Sequence, residues 1–288
     1  MSSYARAVRT FADRYGVTPR HRSLLLAHWP LVKLFWLSEF GRGRARGLAA
    51  RLYPAFARHG IVIEVDGGNG RRMAIPVSFD RYELQTFREI FLGEEYAAPF
   101  DIARAHTIVD LGANTGLAAL WFFARCDVER LIAVEANPAL IDRMERTLRG
   151  PLAEGRAVIA NRAVVPSETG EPVRFHVSDN PRHGSTAVID SQTREVSVPG
   201  VTLRALLDDH ALERADILKM DIEGAEHDLL AADPDVFTRF GSVFAEVHGD
   251  PERRDGFARG LEALGFEIAR RTAEPDAGCE TVVARRRA

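Results

Sequence analysis

Two patterns of apolar positions divide the chain. From Ser3 to Gly60 apolar residues recur at helical spacing: in V-R-T-F-A-D-R-Y, in Leu24–Leu37 and in R-A-R-G-L-A-A-R-L-Y-P-A-F-A. Gly41, Gly43 and Gly47 are the expected breaks. Ile61–Val65 and Arg71–Val77, joined by D-G-G-N-G, predict a hairpin, and Glu83–Tyr96 a helix and loop. From about Phe100 short β-branched runs alternate with longer helical ones. Strands are predicted at Thr107–Leu111, Leu131–Val134, Ala157–Val165, Asp216–Met220 and Ser242–Val247. Helices are predicted from Thr115 onward and at Asn137–Arg149, Val201–His210, Gly224–Ala231 and Pro251–Leu264. Pro172–Val198 predicts short strands around a polar loop, and Phe266–Thr272 with Thr281–Arg285 an antiparallel pair at a sheet edge. This alternation predicts an α/β fold: a helical segment over 1–60, a hairpin and helix lead-in over 61–99, and a core domain over 100–288.

The chemistry concentrates at Thr107–Gly116, T-I-V-D-L-G-A-N-T-G, a buried strand that ends in glycine and feeds a helix. Without Gly-Lys-Ser/Thr it is no P-loop, and Gly112 and Gly116, four apart, do not give the pyrophosphate spacing. Asp110 and Asn114 suit a ligand with an ammonium end instead. The next apolar run ends in Glu135, placed to accept from two ribose hydroxyls. A ribose and an amino-acid end without phosphates describe S-adenosylmethionine.

Composition narrows the class. The 288 residues are 46% apolar and 27% charged, as in a soluble globular protein. Met1–Gly60 holds eleven basic residues against Asp13 and Glu39, a net +9 that leaves −12 for the rest of a chain of net charge −3. That basic segment suits a solvated face, a lid, an acidic partner or a homodimer contact through its helices; nothing in it points to nucleic acid. Two distant cysteines give no disulfide framework and no C-x-x-C metal site. Leu24–Leu37, interrupted by His28, Pro30 and Lys33, is too short to span a bilayer, and the expected location is cytoplasmic.

Two further stretches reach the same rim. In D-I-L-K-M-D-I-E-G-A-E the strand ends at Asp221, with Glu223 and Glu226 following. Lys219, one of only two lysines among 38 basic residues, is either selected for its chemistry or paired with a nearby carboxylate. In V-F-A-E-V-H, alternation puts Glu246 and His248 on one strand face. A histidine among carboxylates is suited to take a proton near neutral pH, and His183, in S-D-N-P-R-H-G-S-T, is the rival base. Asp221, Glu223, Glu246 and His248 also have the chemistry of divalent-metal ligands, although no spacing specifies a metal and the reading does not favour one.

At these residues the chain resembles the FkbM family of S-adenosylmethionine-dependent methyltransferases. The resemblance rests on I-V-D-L-G-A-N-T-G, E-A-N-P, K-M-D-I-E-G-A-E and E-V-H in that order, with R-E-I-F-L-G-E-E-Y upstream, and spans about Glu83–Phe266. It implies a class I methyltransferase (Rossmann-like) fold, a seven-stranded, mostly parallel sheet with helices on both faces. It also implies methyl transfer from S-adenosylmethionine to a hydroxyl oxygen of a small molecule such as a sugar or natural-product intermediate. By position, Asp110, Leu111, Gly112, Asn114 and Gly116 would surround the methionine part. Glu135 would take the ribose, flanked by Ala136 and Asn137, and Ala163 would lie at the adenine. Asp221 would orient the acceptor for His248 as base. Ala136 departs from the aromatic or proline usual after the strand-two acid. N- or carboxyl-methylation, a non-catalytic cofactor-binding scaffold and, more distantly, a nicotinamide oxidoreductase are the alternatives.

Overall fold

The computed structural model describes residues 3–56, 60–67, 70, 72–168, 170–178, 184–185, 193–274 and 278–287. His183, the rival base, lies outside them. Two compact units form: Met1–Glu95 with Phe123–Arg125, and Tyr96–Phe122 with Cys126–Ala288.

In the first unit four helices, α1 (Ser3–Arg14), α2 (Pro19–Ala27), α3 (Trp29–Phe40) and α4 (Gly43–Phe56), precede the hairpin β1 (Gly60–Asp66) and β2 (Arg72–Ser78). Gly47 lies inside α4 and does not break it, because one internal glycine costs a helix only about 1 kcal/mol. Helix α5 (Arg81–Phe87), capped by Asp80, runs into a π-helical turn at Arg88–Leu92. Phe11, Tyr15, Phe87 and Phe91 form one aromatic cluster, and Val32, Tyr53, Phe79 and Leu84 a second core against which Trp29 packs. Of the aromatic residues in the apolar run Leu24–Leu37, Phe35 and Trp36 have side chains outside the described set.

The second unit is built on β3 (Thr107–Leu111), α6 (Leu117–Arg125), β4 (Arg130–Glu135), α7 (Pro138–Thr147), α8 (Arg149–Ala153) and β5 (Ala157–Asn161). After the short β6 (Ala163–Val164), β7 (Val173–Ser178), β8 (Gly184–Ser185) and β9 (Thr193–Val198) make a small antiparallel sheet, and β10 (Gly200–Val201) pairs with β6. The chain then continues through α9 (Leu203–Asp209), β11 (Ala215–Met220), α10 (Glu226–Ala232), α11 (Pro234–Phe237), β12 (Phe240–His248), α12 (Pro251–Ala263), β13 (Phe266–Glu274) and β14 (Cys279–Arg286).

The main sheet has seven strands in the order β13-β14-β12-β11-β3-β4-β5, all parallel except β14, which runs antiparallel to both neighbours. This is the sheet the resemblance implies, with the expected antiparallel pair at its edge. Ile108, Val109, Leu131, Ile132, Leu218 and Val243 are wholly buried, which is why these strands read as unbroken apolar runs. Strand order reverses between β3 and β11, so the carboxyl ends of those two strands flank the point where open α/β sheets bind ligands. Among the described residues no helix is long and apolar enough to cross a membrane.

Candidate active site

Strand β3 ends in a turn that only glycine can make. Gly112 has φ +72°, and a Cβ there would run into the Asp221 carbonyl oxygen. The Asp221 N–H donates to the Leu111 carbonyl at 3.0 Å, tying the ends of β3 and β11 together. The N–H groups of Gly112 and Ala113 donate to the Val134 carbonyl at 3.0 and 2.9 Å, fixing the turn to β4. Asn114 follows at φ +51°, a conformation asparagine tolerates better than most residues, and Gly116 at φ +83° opens α6.

Glu135 braces this turn. Its Oε2 accepts from the Asn114 N–H at 2.8 Å and its Oε1 from the Asn137 N–H at 2.7 Å. Asn137 in turn caps α7, its side chain accepting from the Ala139 N–H at 3.0 Å ahead of Pro138. Burial pushes the Glu135 carboxyl up to about 6, against the pull of those two N–H donors.

Beneath the turn lies a buried ion pair. Lys219 Nζ sits 3.1 Å from Asp110 Oδ1, with the lysine side chain 2% exposed and the aspartate not at all. The ammonium also donates to the Gly112 carbonyl at 2.8 Å and, at 3.5 Å, to that of Leu111. Burial pushes the Asp110 carboxyl up, and Lys219 pulls it part of the way back. Asp110 thus meets an ammonium, but the protein's own.

Gly112, Asn114, Glu135, Ala136, Asn137, Ala163 and Asp221 line one cleft of about 660 Å³ including its mouth. Asp110, Leu111 and Gly116 are not among its lining residues; they hold the turn in place. Among the lining residues that the sequence did not single out are Arg162 and Phe175. Arg162 immediately precedes Ala163 and was within reach of the same motif. Phe175 arrives on β7, in a different sheet, with no local signal.

At the Asp221 end the cleft meets a carboxylate–histidine cluster. Glu223, which lines the cleft, holds φ +55°. His248 Nε2 lies 3.6 Å from both Glu223 Oε2 and Glu246 Oε1, and His248 Nδ1 lies 3.3 Å from Glu226 Oε1. Glu226 is wholly buried, and its Oε1 also accepts from the N–H groups of Ile222 and Gly224. Cys279 donates to Glu246 at 3.0 Å. Burial pushes the Asp221 carboxyl up, opposed by Lys219. For His248 burial disfavours the charge, but the Glu226 hydrogen bond and the charges of Glu226, Asp221 and Glu223 outweigh it and raise the imidazole to about 10. These carboxylates favour the protonated ring over the neutral one.

The model of the FkbM methyltransferase domain matches residues 110–268. The chain is 28% identical over 223 residues to the methyltransferase sdnD of Sordaria araneosa, covering 65% of this chain and 83% of that protein. It is 25% identical over 250 residues to the AMB antimetabolite synthetase AmbE of Pseudomonas aeruginosa, covering 72% of this chain but only 12% of the synthetase. A crystal structure of an FkbM methyltransferase from Methylobacillus flagellatus superposes with a TM-score of 0.41 at 15% identity, over 62% of this chain and 43% of that one.

Proposed function

Because the chain belongs to the FkbM methyltransferase family, we propose that it moves the methyl group of S-adenosylmethionine to a hydroxyl oxygen of a small molecule, a sugar or a natural-product intermediate. The observation that carries this reading is one cleft with an acid at each end, Glu135 and Asp221, and a glycine turn between them. Glu135 accepts from the ribose hydroxyls, Asn114 and Gly112 border the methionine part, and Ala136, Asn137 and Ala163 border the adenine. Such a lining disfavours a pyrophosphate, since both acids would repel it. The kinship with an antimetabolite synthetase favours a natural-product acceptor.

The sulfonium is already an activated donor, so the protein has to align acceptor oxygen, methyl and sulfur and exclude water. As the acceptor oxygen bonds to the methyl carbon, the carbon–sulfur bond breaks and its electron pair leaves with the sulfur. The hydroxyl proton must go to a base. The sequence names His248, whose ring the carboxylates around it bias toward the protonated form. Asp221, on the cleft wall with a carboxyl raised by burial, is the better acceptor.

Calorimetric titration with S-adenosylmethionine, S-adenosylhomocysteine and NAD tests the cofactor: binding of the first two and not the third is expected. Release of S-adenosylhomocysteine with hydroxylated metabolites then tests the transfer. Binding without turnover on any acceptor would favour a scaffold, and NAD binding alone would overturn the reading.

A further inference from the structure

We propose that the carboxylate–histidine cluster at the end of the cleft is a divalent-cation site, with Asp221, Glu223 and His248 as its protein ligands. The proposal deepens the methyl-transfer reading, since a cation there would withdraw charge from the acceptor hydroxyl beside Asp221.

Four observations support it. One ligand atom from each of the three residues lies within 4.8 Å of the others. The 3.6 Å between His248 Nε2 and Glu223 Oε2 is long for a hydrogen bond but suits two atoms sharing an ion, since bonds of about 2.1–2.2 Å at near-tetrahedral angles put ligands about 3.5 Å apart. The donor set is mixed, one imidazole and two carboxylates, which suits Mn²⁺ or Zn²⁺ better than an all-oxygen cation. Finally, the fully buried Glu226 carboxylate is aimed at His248 Nδ1, 3.3 Å away, while its Oε2 has no hydrogen-bond partner among the described residues. A histidine whose Nδ1–H is taken up by a buried carboxylate presents Nε2 to the two cleft-wall acids, the arrangement that metal-binding histidines adopt. Glu246, 3.6 Å from the same Nε2 and held by Cys279, falls in a separate group with His248 and Cys279 and is not one of the three ligands.

The test uses the full chain with S-adenosylhomocysteine and Mn²⁺, following free Mn²⁺ by electron paramagnetic resonance. One Mn²⁺ per chain is expected. His248→Ala and Glu226→Gln should each weaken it by about tenfold or more, the second because it removes the carboxylate that orients the ligand. Binding of S-adenosylhomocysteine by the same variants controls for folding. Wild-type protein that binds S-adenosylhomocysteine but no Mn²⁺, or Mn²⁺ binding undiminished in both variants, overturns the site and leaves the carboxylates as counter-ions of an imidazolium. Mn²⁺ bound without any affinity for S-adenosylmethionine or S-adenosylhomocysteine would overturn the cofactor reading and spare the cation site.

Discussion

Replacing Lys219 by methionine should be among the most damaging single changes to the sheet unit. The ammonium is 2% exposed and faces a carboxylate with no exposure at all, so its loss leaves Asp110 charged and buried beside an apolar side chain. Breaking a buried pair from one side costs about 3–5 kcal/mol, a large share of the roughly 5–15 kcal/mol that holds a domain folded. The hydrogen bond to the Gly112 carbonyl goes as well. Removing the partner charge too, in Asp110→Asn/Lys219→Met, should return much of the loss and leave the double variant within about 1–2 kcal/mol of wild type. Urea unfolding followed by Trp121 fluorescence, with Trp29 and Trp36 replaced by phenylalanine, reads the sheet unit by itself. The pH dependence provides a second check. Burial raises the folded-state pKa of Asp110 above its unfolded value, so its contribution is greatest below the unfolded pKa and is lost as pH rises through the folded one. The gap between K219M and the double variant should therefore narrow from pH 7.5 to pH 5. A Lys219→Met protein within about 1 kcal/mol of wild type, or a double variant no more stable than the single, would refute the account of the pair.

Cofactor affinity should track Glu135: with its carboxyl near 6, the ionised fraction falls about tenfold between pH 7 and pH 5, and affinity with it. The cofactor's amino group, titrating near about 8, stays protonated across that window, and Glu135→Gln should bind weakly with no slope; a flat wild-type profile would contradict the ribose assignment. Asp221→Asn should lower turnover by about 10²-fold or more while S-adenosylhomocysteine still binds, and undiminished turnover would move the base elsewhere. Gly112→Ala should cost at least about 1–3 kcal/mol from backbone strain alone, before its collision with the Asp221 carbonyl, and should abolish cofactor binding in calorimetry. Deleting residues 1–60 should change oligomeric state or acceptor use in sedimentation and turnover assays, and leave cofactor affinity as it is.

Much of the sheet was legible because strands covered on both faces spell themselves out: Ile108, Val109 and Leu111 have no polar side to confuse the reading. The cap at Asn137–Pro138 was equally plain, since its signal is local. What the sequence could not specify was pairing across distance. Lys219 and Asp110 are 109 positions apart, and alternation says only that each lies on a strand. Glu226 and His248 meet because α10 returns beside β12, which sets a buried carboxylate against the anticipated base. Phe175 reaches the cleft from a separate small sheet, and no periodicity in its own neighbourhood announces that.

Asn114 and Glu223 both sit at positive φ on the cleft wall, where glycine would rest with less strain. Selection for heat resistance alone would drift toward glycine at both positions, and at 223 the molecules recovered would have lost a carboxylate from the wall. A library screened for thermal endurance should thus grow sturdier and slower together, and the positions where that happens would mark which parts of the wall the reaction needs.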